Sequence, residues 1–413
     1  MNKLAVGTKS SIRVTNCQVC DSPDLEEVIS LGHLPQVNVM ADVGTNLKEE
    51  LFFPAELLKC NNCSLVQISH IVDPEIIFPP SYSYTSRTTK ILREGFAQLA
   101  EEVKSLINLK STDLIVDIGS NDGTLLSNFK NTCEVLGVEP TDAADYAIKN
   151  GINSIKSFFT AELANKIKSN DKKAKVVTST NCFAHIENVH EIVNGIKALL
   201  DNDGVFINES HYLIGLMQTV QYDTIYHEHL RYYSLTSLKY LLEMHDLEIF
   251  NVNLIPTHGG SIRVYAANKG KFKINSKVET MLNDEKEFLN KINFLKFKDD
   301  VVKSKLHLNS IIKNNKSIGA IGCPSRAITL INYAGLNEDI LKFVLEAPGS
   351  QKINKYVPGT KIPVLEETSE LINSVECLLL LSWHIADEII PKLKSKGFKG
   401  SFITPLPFPM ENF

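Results

Sequence analysis

The chain has 413 residues, of which 43% are hydrophobic and 22% are charged, so it is long enough for two or three domains with sizeable apolar cores. Its 43 basic and 48 acidic residues give a formal net charge of −5 without a basic stripe, which disfavours nucleic acids and anionic membranes as partners. No stretch approaches the roughly 20 apolar residues of a transmembrane helix, and the polar N-terminus does not resemble a signal peptide, so we expect a cytoplasmic protein.

The N-terminal region contains two closely spaced cysteine pairs. Cys17 and Cys20 are separated by two residues, and so are Cys60 and Cys63. Two such pairs can hold one zinc ion in a closed tetrahedral site, which stabilises a fold but leaves no open position for catalysis. Two disulfides are the alternative, disfavoured by a cytoplasmic location, and isolated redox pairs are a weaker one. The other four cysteines are isolated, and we expect them to pack in cores.

An alternation of strands and helices follows the cysteine-rich region. An aromatic and hydroxyl-rich loop at residues 78–86 contains Tyr82 and Tyr84, and the spacing of apolar residues then predicts a helix over residues 91–107. Apolar runs predict four parallel strands, at residues 114–118, 135–139, 175–180 and 204–209, with helical stretches between them. This pattern indicates a doubly wound sheet, in which ligands bind at the carboxyl ends of the strands.

The first of these strands begins the most informative segment, Leu114-Ile-Val-Asp117-Ile-Gly119-Ser-Asn-Asp-Gly123. Gly119 and Gly123 allow a tight turn and a close approach of backbone to ligand. Glu139 ends the next strand, about 20 residues further on, where nucleotide-binding folds place a carboxylate against ribose hydroxyls. The turn lacks the third glycine of the dinucleotide fingerprint, and Asp117 suits a cationic ligand better than a pyrophosphate. We therefore expect S-adenosylmethionine (SAM); the alternative is an ordinary strand-to-helix turn.

Residues 222–233 concentrate tyrosines, histidines and acidic residues. His229 can act as a general base near neutral pH, Glu228 can orient an imidazole, and a tyrosine hydroxyl can donate to a developing oxyanion. A polar interdomain loop is the plain alternative. A metal site is a further hypothesis, with ligands drawn from His185, His227, His229 and His258.

A second α/β pattern begins after residue 256. The predicted elements are a strand at 261–266, a long helix over roughly 276–313 and further strands at 341–346 and 377–382. The turn Gly322-Cys-Pro-Ser-Arg326 precedes a helix and could hold a phosphate, with Arg326 as a bidentate donor, or could be a structural turn. The single tryptophan, Trp383, follows the last of these strands and either lines that site or packs.

The order of these motifs resembles that of the SAM-dependent C-methyltransferases of deoxysugar biosynthesis, which act on nucleotide-linked 4-keto-6-deoxysugars. The resemblance covers nearly the whole chain. It rests on the two cysteine pairs, the turn at Gly119–Gly123, Glu139-Pro140, Asn181-Cys-Phe-Ala-His185, Tyr226-His-Glu-His229, Thr257-His258-Gly-Gly-Ser-Ile-Arg263, Gly322-Cys-Pro-Ser-Arg326, Tyr356-Val-Pro-Gly-Thr-Lys-Ile-Pro363 and Ser382-Trp-His384. The chain departs from the family pattern at Arg326, where the family has lysine, and at His384, where it has asparagine.

The resemblance implies an α/β protein of three domains. These are a zinc-binding module at residues 1–75, a doubly wound, Rossmann-like SAM domain at 76–255 and a second Rossmann-like domain at 256–413 that binds the nucleotide-sugar. The implied reaction is removal of the carbon-3 proton of the sugar, followed by methylation of the enolate, with no catalytic metal or redox cofactor. The partner is a nucleotide-linked 4-keto-deoxysugar, with thymidine diphosphate (TDP) as the expected nucleotide, and we expect a monomer.

The resemblance also implies roles for individual residues. His229 is the expected base. The other expected catalytic residues are Glu228, Tyr226, His185 and one of Tyr82 and Tyr84. Those expected at the cofactor are Asp117, Gly119, Ser120, Asn121, Gly123, Glu139, Pro140 and Asn181. Those expected at the substrate are His258, Arg263, Arg326, Tyr356, Trp383 and His384.

Two other functions remain open on the residues alone. One is a SAM-dependent O- or N-methyltransferase, which needs a base but no ketone in its acceptor. The other is a zinc-stabilised protein that binds a nucleotide-sugar without turnover. The intact set of Asp117, Glu139 and His229 argues against the second.

Overall fold

A computed structural model describes residues 7, 8, 10–46, 50–77, 90–168 and 172–412. The chain forms a cysteine-rich N-terminal module, a central seven-stranded sheet flanked by helices, and a C-terminal six-stranded sheet. This arrangement confirms the predicted fold class. No described helix combines the length and the apolar character that crossing a bilayer requires.

Two small antiparallel sheets form the N-terminal module. Its elements are β1 (Gly7–Thr8), β2 (Ser11–Arg13), β3 (Leu25–Pro35), β4 (Phe52–Cys60), β5 (Val66–Ile68), β6 (His70–Val72) and the short helix α1 (Pro74–Ile77). One sheet has the order β1-β2-β6, and the other contains β5-β4-β3. Along β4, the side chains of Phe53, Ala55 and Leu57 alternate inward, as expected for a strand with one buried face.

The central sheet is the predicted doubly wound sheet. Its region contains α2 (Lys90–Leu106), β7 (Leu114–Ile118), β8 (Glu134–Val138), α3 (Ala143–Lys149), β9 (Ser154–Ile155), α4 (Ala161–Lys168), β10 (Ala174–Thr180), α5 (Val189–Leu199), β11 (Leu200–His211), α6 (Leu213–Gln218), β12 (Arg231–Tyr232), α7 (Leu235–Glu243), β13 (Leu247–Ile255) and β14 (Ser261–Asn268). The strand order is β13-β14-β11-β10-β7-β8-β9, with β11 to β9 parallel. All five residues of β7 are buried, which explains why four of the five are apolar.

Strand β12 does not join the central sheet. It pairs with β5 and so completes a four-stranded N-terminal sheet of order β12-β5-β4-β3. Residues 222–233 are thereby attached to the zinc-binding module through backbone hydrogen bonds.

Strand β14 was predicted to begin the C-terminal domain but lies in the central sheet. It pairs along its length with β11 and with β13, both antiparallel. A domain boundary at residue 255 therefore falls inside the β13–β14 hairpin, and the central sheet extends to Asn268.

The long helix predicted over residues 276–313 consists of two helices. These are α8 (Ser276–Phe288) and α9 (Lys291–Lys313). The side-chain oxygen of Asn290 accepts a hydrogen bond from the backbone N–H of Asn293 at 3.0 Å. Asn290 is thus an N-cap, and a cap starts a new helix rather than continuing the old one.

Neighbouring strands of the C-terminal sheet are also parallel, except for the last strand. Its elements are β15 (Ile318–Ile321), α10 (Ser325–Ala334), β16 (Leu341–Glu346), β17 (Val364–Glu366), α11 (Ser369–Ile372), β18 (Cys377–Leu380), α12 (Ala386–Ser395), β19 (Ser401–Thr404) and β20 (Met410–Asn412). The order is β17-β16-β15-β18-β19-β20, and β20 is antiparallel. The strands predicted at 341–346 and 377–382 are confirmed as β16 and β18.

Candidate active site

The four N-terminal cysteines meet at one point. The Sγ atoms of Cys17 and Cys63 are 3.4 Å apart, those of Cys20 and Cys60 are 3.5 Å apart, and all four lie within 4.8 Å of one another. Zinc–sulfur bonds of about 2.3 Å in a tetrahedron separate the sulfurs by about 3.8 Å, so this group fits one zinc ion. In the described part of the chain, the histidines considered above as metal ligands form no comparable group.

The predicted cofactor residues lie at the carboxyl edge of the central sheet. Asp117, in β7, is 1% exposed, and its Oδ1 accepts a hydrogen bond from the Thr178 hydroxyl at 2.7 Å. Burial raises the pKa of the Asp117 carboxyl to about 7. A cationic ligand beside it would favour the ionised form, which agrees with the positive charge of SAM.

The turn after β7 is held by the glutamate that follows β8. Glu139 Oε2 accepts the backbone N–H of Asn121 at 3.0 Å, and Oε1 accepts both the N–H and the hydroxyl of Thr141. Gly119 has φ of 72°, and a Cβ there would lie 2.8 Å from the Cys182 side chain. Only glycine fits this position, because it needs both the left-handed backbone and the missing side chain.

Three further predicted cofactor residues lie at the same edge. The Ser120 hydroxyl is buried and has no hydrogen-bond partner among the described residues. Asn181 follows β10 in a left-handed conformation, with its N–H donating to Glu209 O at 2.9 Å. Gly123 closes the turn with φ of 76°. An unsatisfied buried hydroxyl beside a glycine cradle fits a bound cofactor. Pro140 directly follows Glu139.

His229 is fixed in one tautomer by the backbone. Its Nδ1–H donates to the carbonyl of Thr224 at 2.8 Å, so Nε2 is the atom that can accept a proton. The Tyr226 ring lies 4.2 Å from the imidazole, and the His185 ring lies 4.9 Å away, edge-on. Burial, reinforced by the neighbouring His185, lowers the pKa of His229 well below its ordinary value. The imidazole is therefore neutral at physiological pH.

Further histidines surround His229 and come from separate parts of the chain. We define the histidine cluster as His185, His211, His229, His258 and His384. Burial lowers the pKa of His185 and His258 to about 4, and that of His211 and His384 to about 3. The Nε2 atom of His258 is buried and has no hydrogen-bond partner in the described part of the chain. The cluster thus gathers neutral imidazoles from the central domain, together with His384 of the C-terminal domain, at one buried place. This meeting point of the two domains is called the cleft below.

The zinc-binding module holds the other side of residues 222–233. The amide of Asn38 donates to Glu228 Oε1. His227 Nε2 donates to the carbonyl of Pro54 at 3.1 Å, and its Nδ1 lies 3.4 Å from Gln36 Nε2. His227 is therefore used in anchoring the segment, while Glu228 is positioned next to His229 by a residue of the zinc-binding module.

The C-terminal domain reaches the same segment through Arg326. Its Nε and Nη2 donate to the two oxygens of Asp223 at 2.7 and 2.9 Å, and Nη2 also donates to Gln221 at 2.9 Å. Trp383 Nε1 donates to Asp223 at 2.8 Å, and the guanidinium lies over the Trp383 ring at 4.9 Å. Arg326 Nη1 lies 3.5 Å from His384 Nδ1. Asp223 is completely buried, and this bidentate pair is a charged contact between the central and C-terminal domains.

Replacing Asp223 by alanine is expected to lower the free energy of unfolding by about 3–5 kcal/mol, because the Arg326 charge stays buried without its partner. Chemical denaturation measures the loss. The matched control is Asp299→Ala, which breaks an exposed pair with Lys303 and should cost far less. The interpretation fails if the Asp223 variant is as stable as the control. The double variant Asp223→Asn, Arg326→Met should recover part of the loss.

The buried histidines predict a stability that falls in mild acid. Their folded-state pKa values, about 4 or lower, lie below the roughly 6.5 of an unfolded histidine, so the unfolded chain binds more protons below pH 6.5. Each fully buried histidine then removes up to about 1.4 kcal/mol per pH unit as the pH falls from about 6.5 to about 4. Asp117, Glu209 and Glu50 oppose them, because burial raises the pKa of each of these carboxyl groups. Denaturation midpoints at pH 7, 6 and 5 should decline steadily; a flat profile would contradict this expectation.

Two predicted substrate residues have their polar groups engaged elsewhere. Arg263 is fully buried in ion pairs with Glu209 at 2.6 Å and Glu102 at 2.7 Å, which fasten α2 to the central sheet. The Tyr356 hydroxyl accepts the N–H of Gly44 at 3.2 Å. Tyr82 and Tyr84 lie outside the described residues.

The sequence reasoning did not single out four residues that the structure brings to the cleft. They are Asn38, His211, Gln221 and Asp223. His211 ends β11, so the rule that ligands gather at strand ends would have found it. Asp223 lies within residues 222–233, but the sequence does not show that its partner is Arg326.

The cofactor edge, the buried neutral base and the four-cysteine group define a SAM-dependent methyltransferase with a structural zinc site. Family models match three consecutive stretches: residues 17–78 match a "Putative zinc binding domain", 91–252 a "Methyltransferase domain" and 256–407 a "C-methyltransferase C-terminal domain". The C-methyltransferase NovU of Streptomyces niveus is 30% identical over 406 residues, which is 96% of each chain. The chain belongs to this family of C-methyltransferases. The predicted family, SAM and structural zinc are thus confirmed.

Solved structures of other methyltransferases are also similar. Magnesium protoporphyrin IX methyltransferase from Synechocystis PCC 6803 with bound SAM is 13% identical, with a TM-score of 0.33 over 43% of this chain and 79% of that one. A SAM-dependent methyltransferase from Clostridium acetobutylicum ATCC 824 is 13% identical, with a TM-score of 0.34 over 43% and 92%. Both likenesses are weak, and the family assignment does not rest on them.

Proposed function

We propose that this C-methyltransferase transfers the methyl group of SAM to carbon 3 of a nucleotide-linked 4-keto-6-deoxysugar, with His229 as the base. The observation that carries the proposal is the backbone bond from His229 Nδ1–H to Thr224, which leaves Nε2 as the acceptor. Among the described residues, that Nε2 atom has no hydrogen-bond partner. Methylation at carbon requires a carbon acid, and a ketone next to the reacting carbon provides one.

The residues around His229 suit proton removal from such a ketone. A neutral imidazole can take the carbon-3 proton without first losing one of its own. Tyr226, in ring contact with His229, and the neighbouring His185 are the candidates to donate to the developing enolate oxygen. Glu228 is held by Asn38 and can stabilise the imidazolium that forms.

The carboxyl edge of the central sheet is the candidate site for SAM. When bound, SAM supplies an electrophilic methyl group for the carbon nucleophile. Asp117 and Glu139 are expected to hold its cationic part and its ribose, respectively. The C-terminal domain would hold the nucleotide-sugar on the other side of the cleft. Fixing both reactants in one orientation supplies a large share of the rate gain in a transfer of this kind.

The test is mass spectrometry of the purified protein after incubation with SAM and a panel of nucleotide-linked 4-keto-deoxysugars. The expected product is heavier by one methylene group. Without SAM, the same substrates should exchange the carbon-3 hydrogen for deuterium from the solvent. O- or N-methylation would give a methylated product without carbon-3 exchange, and a binding protein would give neither. Either result would overturn the proposal.

A further inference from the structure

The C-terminal sheet repeats the hydrogen bonding of the cofactor edge. Gly322 follows β15 with φ of 81°, and its N–H donates to Leu345 O, in β16, at 2.8 Å. Gly119 follows β7 with φ of 72°, and its N–H donates to Val138 O, in β8, at 2.9 Å. In both sheets a left-handed glycine after one strand is therefore bonded to the end of the neighbouring parallel strand.

The next residue of that neighbouring strand is a glutamate in both sheets. Glu346 Oε1 accepts the N–H of Cys323 at 2.5 Å, and Glu139 Oε2 accepts the N–H of Asn121 at 3.0 Å. Each carboxylate thus fastens the turn that follows the first strand. In folds of this type, a carboxylate at the end of the second strand binds the hydroxyl groups of a ribose.

In both sheets, a side chain that follows the third strand also lies close to the glycine. A Cβ on Gly322 would lie 2.4 Å from the Ser382 hydroxyl, which follows β18, just as a Cβ on Gly119 would collide with Cys182 after β10. The glycine keeps the backbone close to the strand ends, where a ligand lies in open α/β sheets. The C-terminal edge therefore has the backbone geometry of a nucleoside site.

The glutamate at the C-terminal edge accepts fewer hydrogen bonds than the glutamate at the cofactor edge. Both oxygens of Glu139 accept hydrogen bonds, whereas Glu346 Oε2 has no hydrogen-bond partner in the part of the chain that the structure describes. Lys352 Nζ donates to Cys323 O at 2.6 Å, on the same turn. No ion pair joins Lys352 to Glu346, although both residues are described. A carboxylate and an ammonium group therefore flank one turn without neutralising each other.

We propose that Glu346 binds the pentose hydroxyl of the nucleotide part of the substrate, an inference that rests on the proposed function. Its Oε2 would accept a charge-assisted hydrogen bond from the hydroxyl. Lys352 offsets the repulsion between this carboxylate and the diphosphate. The Arg326 guanidinium, at the first turn of α10, is already bonded to Asp223, so the nucleotide depends on other groups of this edge.

The test measures nucleotide binding by isothermal titration calorimetry. The probes are TDP and 2′,3′-dideoxythymidine diphosphate, which lacks the pentose hydroxyl. In the wild-type protein, loss of the hydroxyl should weaken binding about tenfold, which is about 1.4 kcal/mol. In Glu346→Gln, TDP should bind about tenfold more weakly, while the dideoxy nucleotide should bind as it does to the wild type. The glutamine oxygen can still accept the Cys323 N–H, so the turn is retained.

Two controls separate this contact from a general change in the domain. Glu370→Gln alters an exposed glutamate of the same domain and should leave both affinities unchanged. Binding of S-adenosylhomocysteine should be the same in the wild type and in both variants, because Glu346 is not at the cofactor edge.

Three results of the titrations with free nucleotides would overturn the inference. These are wild-type binding of TDP by Glu346→Gln, equal affinity of the wild type for both probes, and failure of the wild type to bind TDP, uridine diphosphate or guanosine diphosphate. A loss confined to complete nucleotide-sugars would place the carboxylate at the hexose instead, and would also overturn it. The proposed function fails separately, by the absence of methylated product, since the titrations need no turnover.

Discussion

Removal of the zinc ion is expected to abolish methyl transfer, although none of the four cysteine ligands belongs to residues 222–233. A structural zinc site contributes about 10–16 kcal/mol of apparent binding free energy to its module at neutral pH, so the module should unfold without the metal. Asn38, which holds Glu228, and Pro54, which holds His227, would then be lost to the site. Strand β12 would lose its partner β5. A displacement of about 1 Å at a catalytic group can cost about 100-fold in rate, and we expect at least that loss.

The measurement couples zinc release, followed with a chromogenic chelator, to the methylation assay. One equivalent of zinc per chain should be released as activity disappears, and Cys60→Ser should be purified without zinc and without activity. The matched control is Cys133→Ser, a buried cysteine outside the group, which should keep its zinc. Full turnover by a zinc-free protein would show that the module does not support the site.

Replacement of His229 by glutamine is expected to lower the rate of methylation by about 10²–10⁴-fold, the usual contribution of a general base. Glutamine can still donate to the Thr224 carbonyl through its amide, so the local backbone is retained. The affinity for SAM should change little, because the substitution leaves Asp117 and Glu139, the expected cofactor residues, unchanged. Loss of rate with intact cofactor binding would therefore assign the defect to proton removal.

Deuterium exchange at carbon 3 in the absence of SAM makes this test specific. Exchange should be lost in His229→Gln to the same extent as methylation. His33→Gln, which alters an exposed histidine in β3, serves as the control and should behave as the wild type. Since burial lowers the pKa of His229, the acid limb of the wild-type rate profile should lie below the ordinary histidine range. Exchange at the wild-type rate in His229→Gln would assign the base to another residue.

Local patterns in the sequence predicted much of the fold and the cofactor edge. The strand β7, its glycine turn and Glu139 lie in one short stretch of the chain. Their spacing alone predicts how they are arranged. The cysteine pairs are similarly local, and their ligand spacing is specific to metal binding. Both features were found because the chemistry constrains residues that are close together in the chain.

Contacts between distant parts of the chain could not be predicted in this way. Asp223 and Arg326 are separated by 103 positions, and Asn38 and Glu228 by 190. No periodicity connects such residues, and each side chain alone is compatible with an exposed position. The placement of β14 was missed for a related reason, because an alternating strand does not specify the sheet in which it finds its partner.

During synthesis on the ribosome, the residues that contact residues 222–233 are made in a fixed order. Asn38 and the zinc ligands emerge first, and Asp223 is made long before Arg326. At about 5–20 residues per second, the 103 positions between these two residues take roughly 5–20 s. During that interval the nascent chain carries a carboxylate destined for burial without the guanidinium that neutralises it. The buried ion pair that joins the central and C-terminal domains therefore forms only after Arg326 has been made.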